Sequence, residues 1–183
     1  MWSQELFLRA WNFAADAHGA QKVPGGERPY LNHVGSVAME VMAAIAQRGD
    51  VERPDLAVQC ALLHDVVEDT PVTLEQVAGE FGAEVAAGVD ALTKNPALGD
   101  KATQMRDSLA RIRRRPREVW MVKLADRITN LQQPPGYWSA EKIAGYRREA
   151  QLIHDELRLG CPALSARLAA KIADYARYET ADS

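Results

Sequence analysis

The chain has 183 residues, 47% hydrophobic and 26% charged, which suits one domain with a proper core. Its formal net charge of −3 gives no support for a nucleic-acid or membrane-surface partner, and no apolar run approaches the roughly 20 residues that a spanning helix needs. Met1-Trp2-Ser3-Gln4-Glu5 lacks the basic start and apolar stretch of a signal peptide, while Cys60 and Cys161 have no metal-ligand spacing and cannot form a disulfide framework. A reducing cytoplasm is the expected home.

Nearly every segment has helical periodicity. Ser3 can cap a first helix whose apolar face includes Leu6, Phe7, Ala10, Trp11, Ala14 and Ala17. Gly25, Gly26 and Pro29 break the pattern and give a loop that leads into His33; a second helix is expected from Val34 to Gln47, stopped by Gly49. Pro54 suits the first turn of a third helix, which runs through Val67 and carries His64-Asp65. Thr73 and Gln76 have capping-box spacing and open a short helix that Gly82 ends. Another helix runs through Val85, Val89 and Leu92 and breaks near Asn95-Pro96. A more polar one follows from about Lys101 to Arg115, and Pro116 separates it from the helix bearing Asp126. Pro134-Pro135-Gly136 is a firm stop, Ser139 can cap the next helix, and Pro162 opens the last. No strand pair or repeat is evident, so the expectation is an all-α chain with residues 1–183 forming a single domain.

The segment Leu62-Leu63-His64-Asp65-Val66-Val67-Glu68-Asp69-Thr70 sets four ionisable residues among apolar ones. A buried charge must be paired, neutralised or bound to a metal, and a metal taking one imidazole and one carboxylate resolves the conflict. Candidate partners are His33, which closes Arg28-Pro29-Tyr30-Leu31-Asn32-His33, and Asp126, a carboxylate in the apolar stripe Val122 to Ile128. His33, His64, Asp65 and Asp126 together offer two imidazoles and two carboxylates, a set suited to a divalent ion with positions left open. Glu68 and Asp69, one helical turn beyond His64 and Asp65, are placed to handle protons. The plainer readings are a loop histidine bonded to backbone at His33, helix-end acids at 68 and 69, and an ion-pair role for Asp126 with Lys123 or Arg127. His18 and His154 lack a comparable constellation and read as structural or surface residues.

The order His33, His64-Asp65, Asp126 resembles the HD phosphohydrolase superfamily. Pro29-Tyr30, Glu68-Asp69-Thr70, Thr93-Lys94 and Lys123-Leu124-Ala125-Asp126-Arg127 with Asn130 narrow the likeness to the hydrolase domain of Rel/SpoT homologues in stand-alone form, the small alarmone hydrolases. The resemblance covers about Leu6 to Tyr178. It implies an all-helical HD-type fold, a manganese ion and removal of pyrophosphate from the ribose 3′ position of (p)ppGpp-like nucleotides. It also implies Glu68 and Asp69 as the acidic catalytic pair, and Tyr30, Lys94, Asn130, Lys142 and Tyr146 as substrate contacts. The chain ends where a synthetase region would follow, so hydrolysis without synthesis is expected.

One departure bears on the base. Relatives carry an Arg-Lys pair shortly after the glutamine matching Gln21, its arginine stacked on guanine; here Gln21-Lys22-Val23-Pro24-Gly25-Gly26-Glu27-Arg28 is one residue shorter and lacks it. Lys22 or Arg28 is the candidate substitute, and an adenine alarmone becomes a serious candidate substrate. Rival readings are a phosphatase for another nucleotide, such as NADPH or a deoxynucleotide, and a catalytically silent nucleotide sensor. The basic run Arg111, Arg113, Arg114, Arg115, Arg117 has no interleaved aromatics and reads as a solvated helix end rather than a nucleic-acid site. Oligomeric state is left open.

Overall fold

A computed structural model describes residues 1–179; the expected domain's last four residues lie outside the described ones. The described chain consists of α1 (Gln4–His18), α2 (Leu31–Arg48), α3 (Pro54–Leu63), α4 (Val66–Asp69), α5 (Leu74–Phe81), α6 (Ala83–Leu92), α7 (Lys101–Ile112), α8 (Arg117–Asn130), α9 (Ala140–Leu157) and α10 (Pro162–Tyr175), with 3₁₀ turns at Pro96–Leu98 and Ala176–Tyr178. Among the described residues the only β pairing is an isolated bridge between Lys22 and Pro29.

Two helices form the centre. Every residue of α3 from Leu56 to Leu63 is buried, as is all but one of α8 from Glu118 to Ile128. A helix buried on all sides has no solvent face and must be wrapped by others. α3 packs on α1, α2, α6 and α8, while α8 also meets α2, α9 and α10. The charged residues that share this interior are paired. Glu40 of α2 takes both ends of the Arg167 guanidinium of α10 at 2.6 Å, and Glu118 of α8 accepts the Arg53 N–H that opens α3 at 3.1 Å.

Several expected boundaries hold for their expected reasons. The Ser3 side chain accepts from the Leu6 N–H, both halves of the Thr73–Gln76 capping box form, and Ser139 accepts from Lys142 N–H. Three boundaries differ. α2 starts at Leu31 rather than Val34, so His33 lies in its first turn and not in the preceding loop. α7 ends at Ile112, short of Arg115. The third helix does not continue to Val67: it ends at Leu63, and after His64 and Asp65 a single turn, α4, carries Glu68 and Asp69.

That break has a geometric consequence. Neighbours on a straight helix project about 100° apart and cannot both aim at one point. Asp65 instead adopts φ −108°, ψ −2°, the sparsely populated bridge region, and brings its Oδ2 to 2.9 Å from His64 Nε2.

Candidate active site

His33 comes from the start of α2, His64 and Asp65 from the break after α3, and Asp126 from buried α8. His33 Nε2 lies 3.3 Å from His64 Nε2, 3.6 Å from Asp65 Oδ2 and 3.5 Å from Asp126 Oδ1; His64 Nε2 is 3.9 Å from that same Asp126 oxygen. His33, His64 and Asp126 each place a donor atom within 4.8 Å of the others'. Donors bound about 2.1 Å from one ion stand about 3.0–3.4 Å apart in octahedral or tetrahedral geometry, so the spacing fits a divalent cation.

The outer nitrogens set the tautomers. His64 Nδ1–H points at the Ala61 carbonyl at 2.9 Å. His33 Nδ1 faces Thr129 Oγ1 at 3.5 Å, and that hydroxyl donates onward to the Asp126 carbonyl at 2.8 Å. Each Nε2 lone pair is thereby turned inward, the arrangement that metal-binding histidines adopt. Two ring nitrogens facing each other at this distance need a cation between them, a metal ion or, without one, a proton. The carboxylates are held as firmly: Tyr30 donates to Asp65 Oδ2 at 2.5 Å, Asn130 to Asp126 Oδ1 at 2.6 Å, and Lys123 to Asp126 Oδ2 at 3.0 Å. The ion-pair reading of Asp126 therefore describes one of its oxygens, while the other faces the histidines.

The electrostatics follow from this packing. Burial opposes the His33 imidazolium, but its hydrogen bonds to the Asp126 and Asp65 carboxylates outweigh it and lift its pKa to about 9; His64 is raised too, against burial, chiefly by the Asp65 charge. Burial also opposes ionisation of Asp65 and Asp126, yet His64 beside the first and Lys123 beside the second hold both below the usual carboxylate range. Asp69 moves the other way: desolvation and the Asp65 charge raise it.

A cleft of about 650 Å³ opens beside these groups. Asp65, Glu68, Asp69 and Asp126 line one part; Lys94, Lys101, Lys123, Arg127 and Lys142 bring cations to the same space. Glu68 is clamped by Lys94, whose backbone N–H and ammonium each donate to it at 2.9 Å. Arg111, expected to be a solvated end of α7, instead binds the Thr93 carbonyl at 2.7 Å and so steadies the segment before Lys94. Tyr30, Asn130, Trp138 and Tyr146 also line the cleft, with the Lys142 ammonium 4.3 Å over the Trp138 ring and the Arg127 guanidinium 4.3 Å over Tyr146.

Lys22 is the expected contact that is not brought here. Its ammonium pairs with Glu27 across the turn closed by the Lys22–Pro29 bridge, and neither it nor Arg28 is among the cleft-lining residues. Sequence reasoning passed over Lys101, Gln104, Arg127 and Glu149, which line the cleft as well. Arg127 could have been found from its place beside Asp126; α7's two residues carry no such signal. His154 lies apart, bonded to Ser165 and Asp155.

The chain matches the HD domain over residues 10–160. It is 36% identical over 162 residues to guanosine-3′,5′-bis(diphosphate) 3′-pyrophosphohydrolase MESH1 of Danio rerio, covering 85% of this chain and 86% of that one. The MESH1 of Xenopus tropicalis is 34% identical over 159 residues, 84% and 85% of the two chains. The solved structure of a metazoan SpoT orthologue that hydrolyses ppGpp superposes with a TM-score of 0.79 at 29% identity, covering 95% of this chain and 97% of the other. The chain belongs to the HD-domain family, in the group of the MESH1 guanosine-3′,5′-bis(diphosphate) 3′-pyrophosphohydrolases.

Proposed function

We propose that this protein is a metal-dependent alarmone hydrolase that removes the 3′-pyrophosphate of (p)ppGpp- or (p)ppApp-like nucleotides, releasing pyrophosphate and the 5′-phosphorylated nucleoside. The observation that carries it is the convergence of four metal-type donors at the edge of a cleft holding both a carboxylate pair and five cations. His33, His64, Asp65 and Asp126 would hold a divalent ion, manganese in our reading. Such an ion supplies Lewis acidity to a phosphoryl oxygen and activates water near neutral pH.

The chain's own groups account for the rest. Glu68 and Asp69 together are suited to take a proton from the attacking water, Asp69 with its proton affinity raised and Glu68 held in place by Lys94. Lys94 and Lys142 neutralise phosphate charge, and Tyr146 adds a hydroxyl on a ring that the Arg127 guanidinium covers. Asn130 and Tyr30 already donate to Asp126 and Asp65, so they orient ligands as well as line the cleft. No described helix is long and apolar enough to cross a membrane, and both cysteines are buried and free, which supports a cytoplasmic enzyme acting on a small nucleotide.

The test is an assay of chelated protein with and without added manganese over ppGpp, pppGpp, pppApp, NADPH and deoxynucleotides. Manganese-dependent turnover confined to the 3′-pyrophosphorylated substrates is expected; turnover of NADPH or deoxynucleotides alone would replace this reading with that of a different nucleotide phosphatase.

A further inference from the structure

The Lys94 N–H that holds Glu68 is one end of a peptide group whose other end is the Thr93 carbonyl. No cis peptide occurs among the described residues, so these two groups point opposite ways across one rigid plane. On one side Lys94 N–H donates to Glu68 Oε2 at 2.9 Å, and the ammonium of the same residue takes Oε1 at 2.9 Å. On the other, the Thr93 carbonyl accepts from Arg111 Nη2 at 2.7 Å. The guanidinium is fixed in turn, Nη1 donating to the Asp90 carbonyl and Nε to Asp107 Oδ2 at 2.8 Å. Thr93 is tied back to α6, its N–H and hydroxyl both donating to the Val89 carbonyl at 2.9 Å. Rotation about its ψ is the freedom that remains, and that rotation turns the peptide. Thr93 is already extended, with φ −71° and ψ 129°, so the Arg111 bond to its carbonyl serves the peptide that follows α6. The helix end itself is served by Ser108, which donates to the Ala91 carbonyl at 2.8 Å, and by the Arg111 bond to Asp90.

On the proposed hydrolysis, we infer that Arg111 is a positioning residue for Glu68: it locks the Thr93–Lys94 peptide so that its N–H fixes the carboxylate at the edge of the cleft. Glu68 receives a donor on each oxygen, which stops the side chain turning yet leaves each oxygen a lone pair to accept a proton. The two donors are unequal once substrate binds. Lys94 also faces phosphate in the cleft, and an ammonium drawn to phosphate releases Oε1; the peptide N–H is then the donor that keeps Glu68 in place. A cation on the carbonyl end polarises the amide and strengthens that N–H. Arg111 is in neither the ligand cluster nor the cleft lining, so it acts through the peptide.

Substitutions on α7 separate this task from capping. Arg111→Met keeps the aliphatic stem and removes every donor, Arg111→Lys keeps a charged donor, and Ser108→Ala weakens the end of α6 without touching the Thr93 carbonyl. With saturating manganese and either ppGpp or pppApp, Arg111→Met should lower kcat by about 10-fold, with KM and bound manganese within about twofold of wild type. Arg111→Lys should recover to within about threefold, and Ser108→Ala should lower Tm at wild-type kcat. In a Glu68→Gln background Arg111→Met should cost less than about twofold, because both changes act on the same carboxylate. Amide exchange in the wild type should show Lys94 N–H protected. An equal loss in both backgrounds, or an equal kcat loss in Ser108→Ala, would overturn the inference in favour of a helix cap. Wild-type kcat in Arg111→Met, or a Lys94 amide that exchanges freely, would overturn it as well. A wild type that hydrolyses no alarmone would instead refute the proposed function, and the amide exchange would still decide the bond to Glu68.

Discussion

His64 is committed on both ring nitrogens, to the Ala61 carbonyl on one side and toward Asp65, Asp126 and His33 on the other. Replacing it with Ala should therefore abolish bound manganese and turnover together. Asp126→Ala should do the same, but it also strands the Lys123 ammonium, whose side chain is 7% exposed; that costs about 3–5 kcal/mol, so Asp126→Asn belongs beside it. Elemental analysis is the check, and full occupancy in the His64 and Asp126 variants would contradict the four-ligand assignment. Glu68→Gln separates chemistry from binding, because an amide accepts no proton. Metal should stay bound while kcat falls by about 10²- to 10⁴-fold, and a wild-type rate would make Glu68 merely the partner of Lys94. The base preference turns on the Gln21–Arg28 segment. With Lys22 paired to Glu27 and neither it nor Arg28 among the cleft-lining residues, that segment supplies no counterpart to a stacked guanidinium, a contact of about 0.5–2 kcal/mol. Phosphate and metal contacts are common to both purine series, so kcat/KM for pppApp should equal or exceed that for ppGpp and pppGpp; a strong guanine preference would point back to Lys22 or Arg28.

Among the helices, α6 lies so close to α3 and α8 that a Cβ on Gly88 would meet Cys60 Sγ at 2.6 Å and Val119 Cγ2 at 3.2 Å. Gly88→Ala gains helix propensity of up to about 1 kcal/mol but overpacks a closed core at about 1–3 kcal/mol. Net destabilisation is expected in urea titration, and Cys60→Ala in the same chain should relieve it; equal loss in single and double variants would mean that the strain lies elsewhere. Periodicity and caps made most helices legible because Ser3, Thr73, Ser139 and the prolines act locally. The break after Leu63 was not legible. Leu62 to Val67 reads as continuous helix, and only the tertiary demand that His64 and Asp65 meet at one point interrupts it. For the same reason the ligand types could be chosen from four histidines and a few buried acids, whereas Lys101, Gln104 and the Arg111–Thr93 contact could not, since nothing in their spacing reports that separate elements converge.

At the scale of the whole molecule, the ligands come from α2, the α3–α4 break and α8, so an ion would tie three parts of the fold together. Manganese at about a hundred times its Kd should then stabilise the folded chain by about 2.7 kcal/mol, roughly 5–10 °C in Tm for a domain of this size. Thermal melts with and without chelator would show it, and His64→Ala should show no shift. A shift of the same size in that variant would mean binding elsewhere. The central claim, hydrolysis at the 3′-pyrophosphate, is tested most directly by phosphorus NMR of the products formed from ppGpp and pppApp by the manganese-loaded wild type. The expected result is inorganic pyrophosphate with the intact 5′-phosphorylated nucleoside in equal amounts. Orthophosphate as the first product, or unchanged substrate beside a fully occupied metal site, would contradict it.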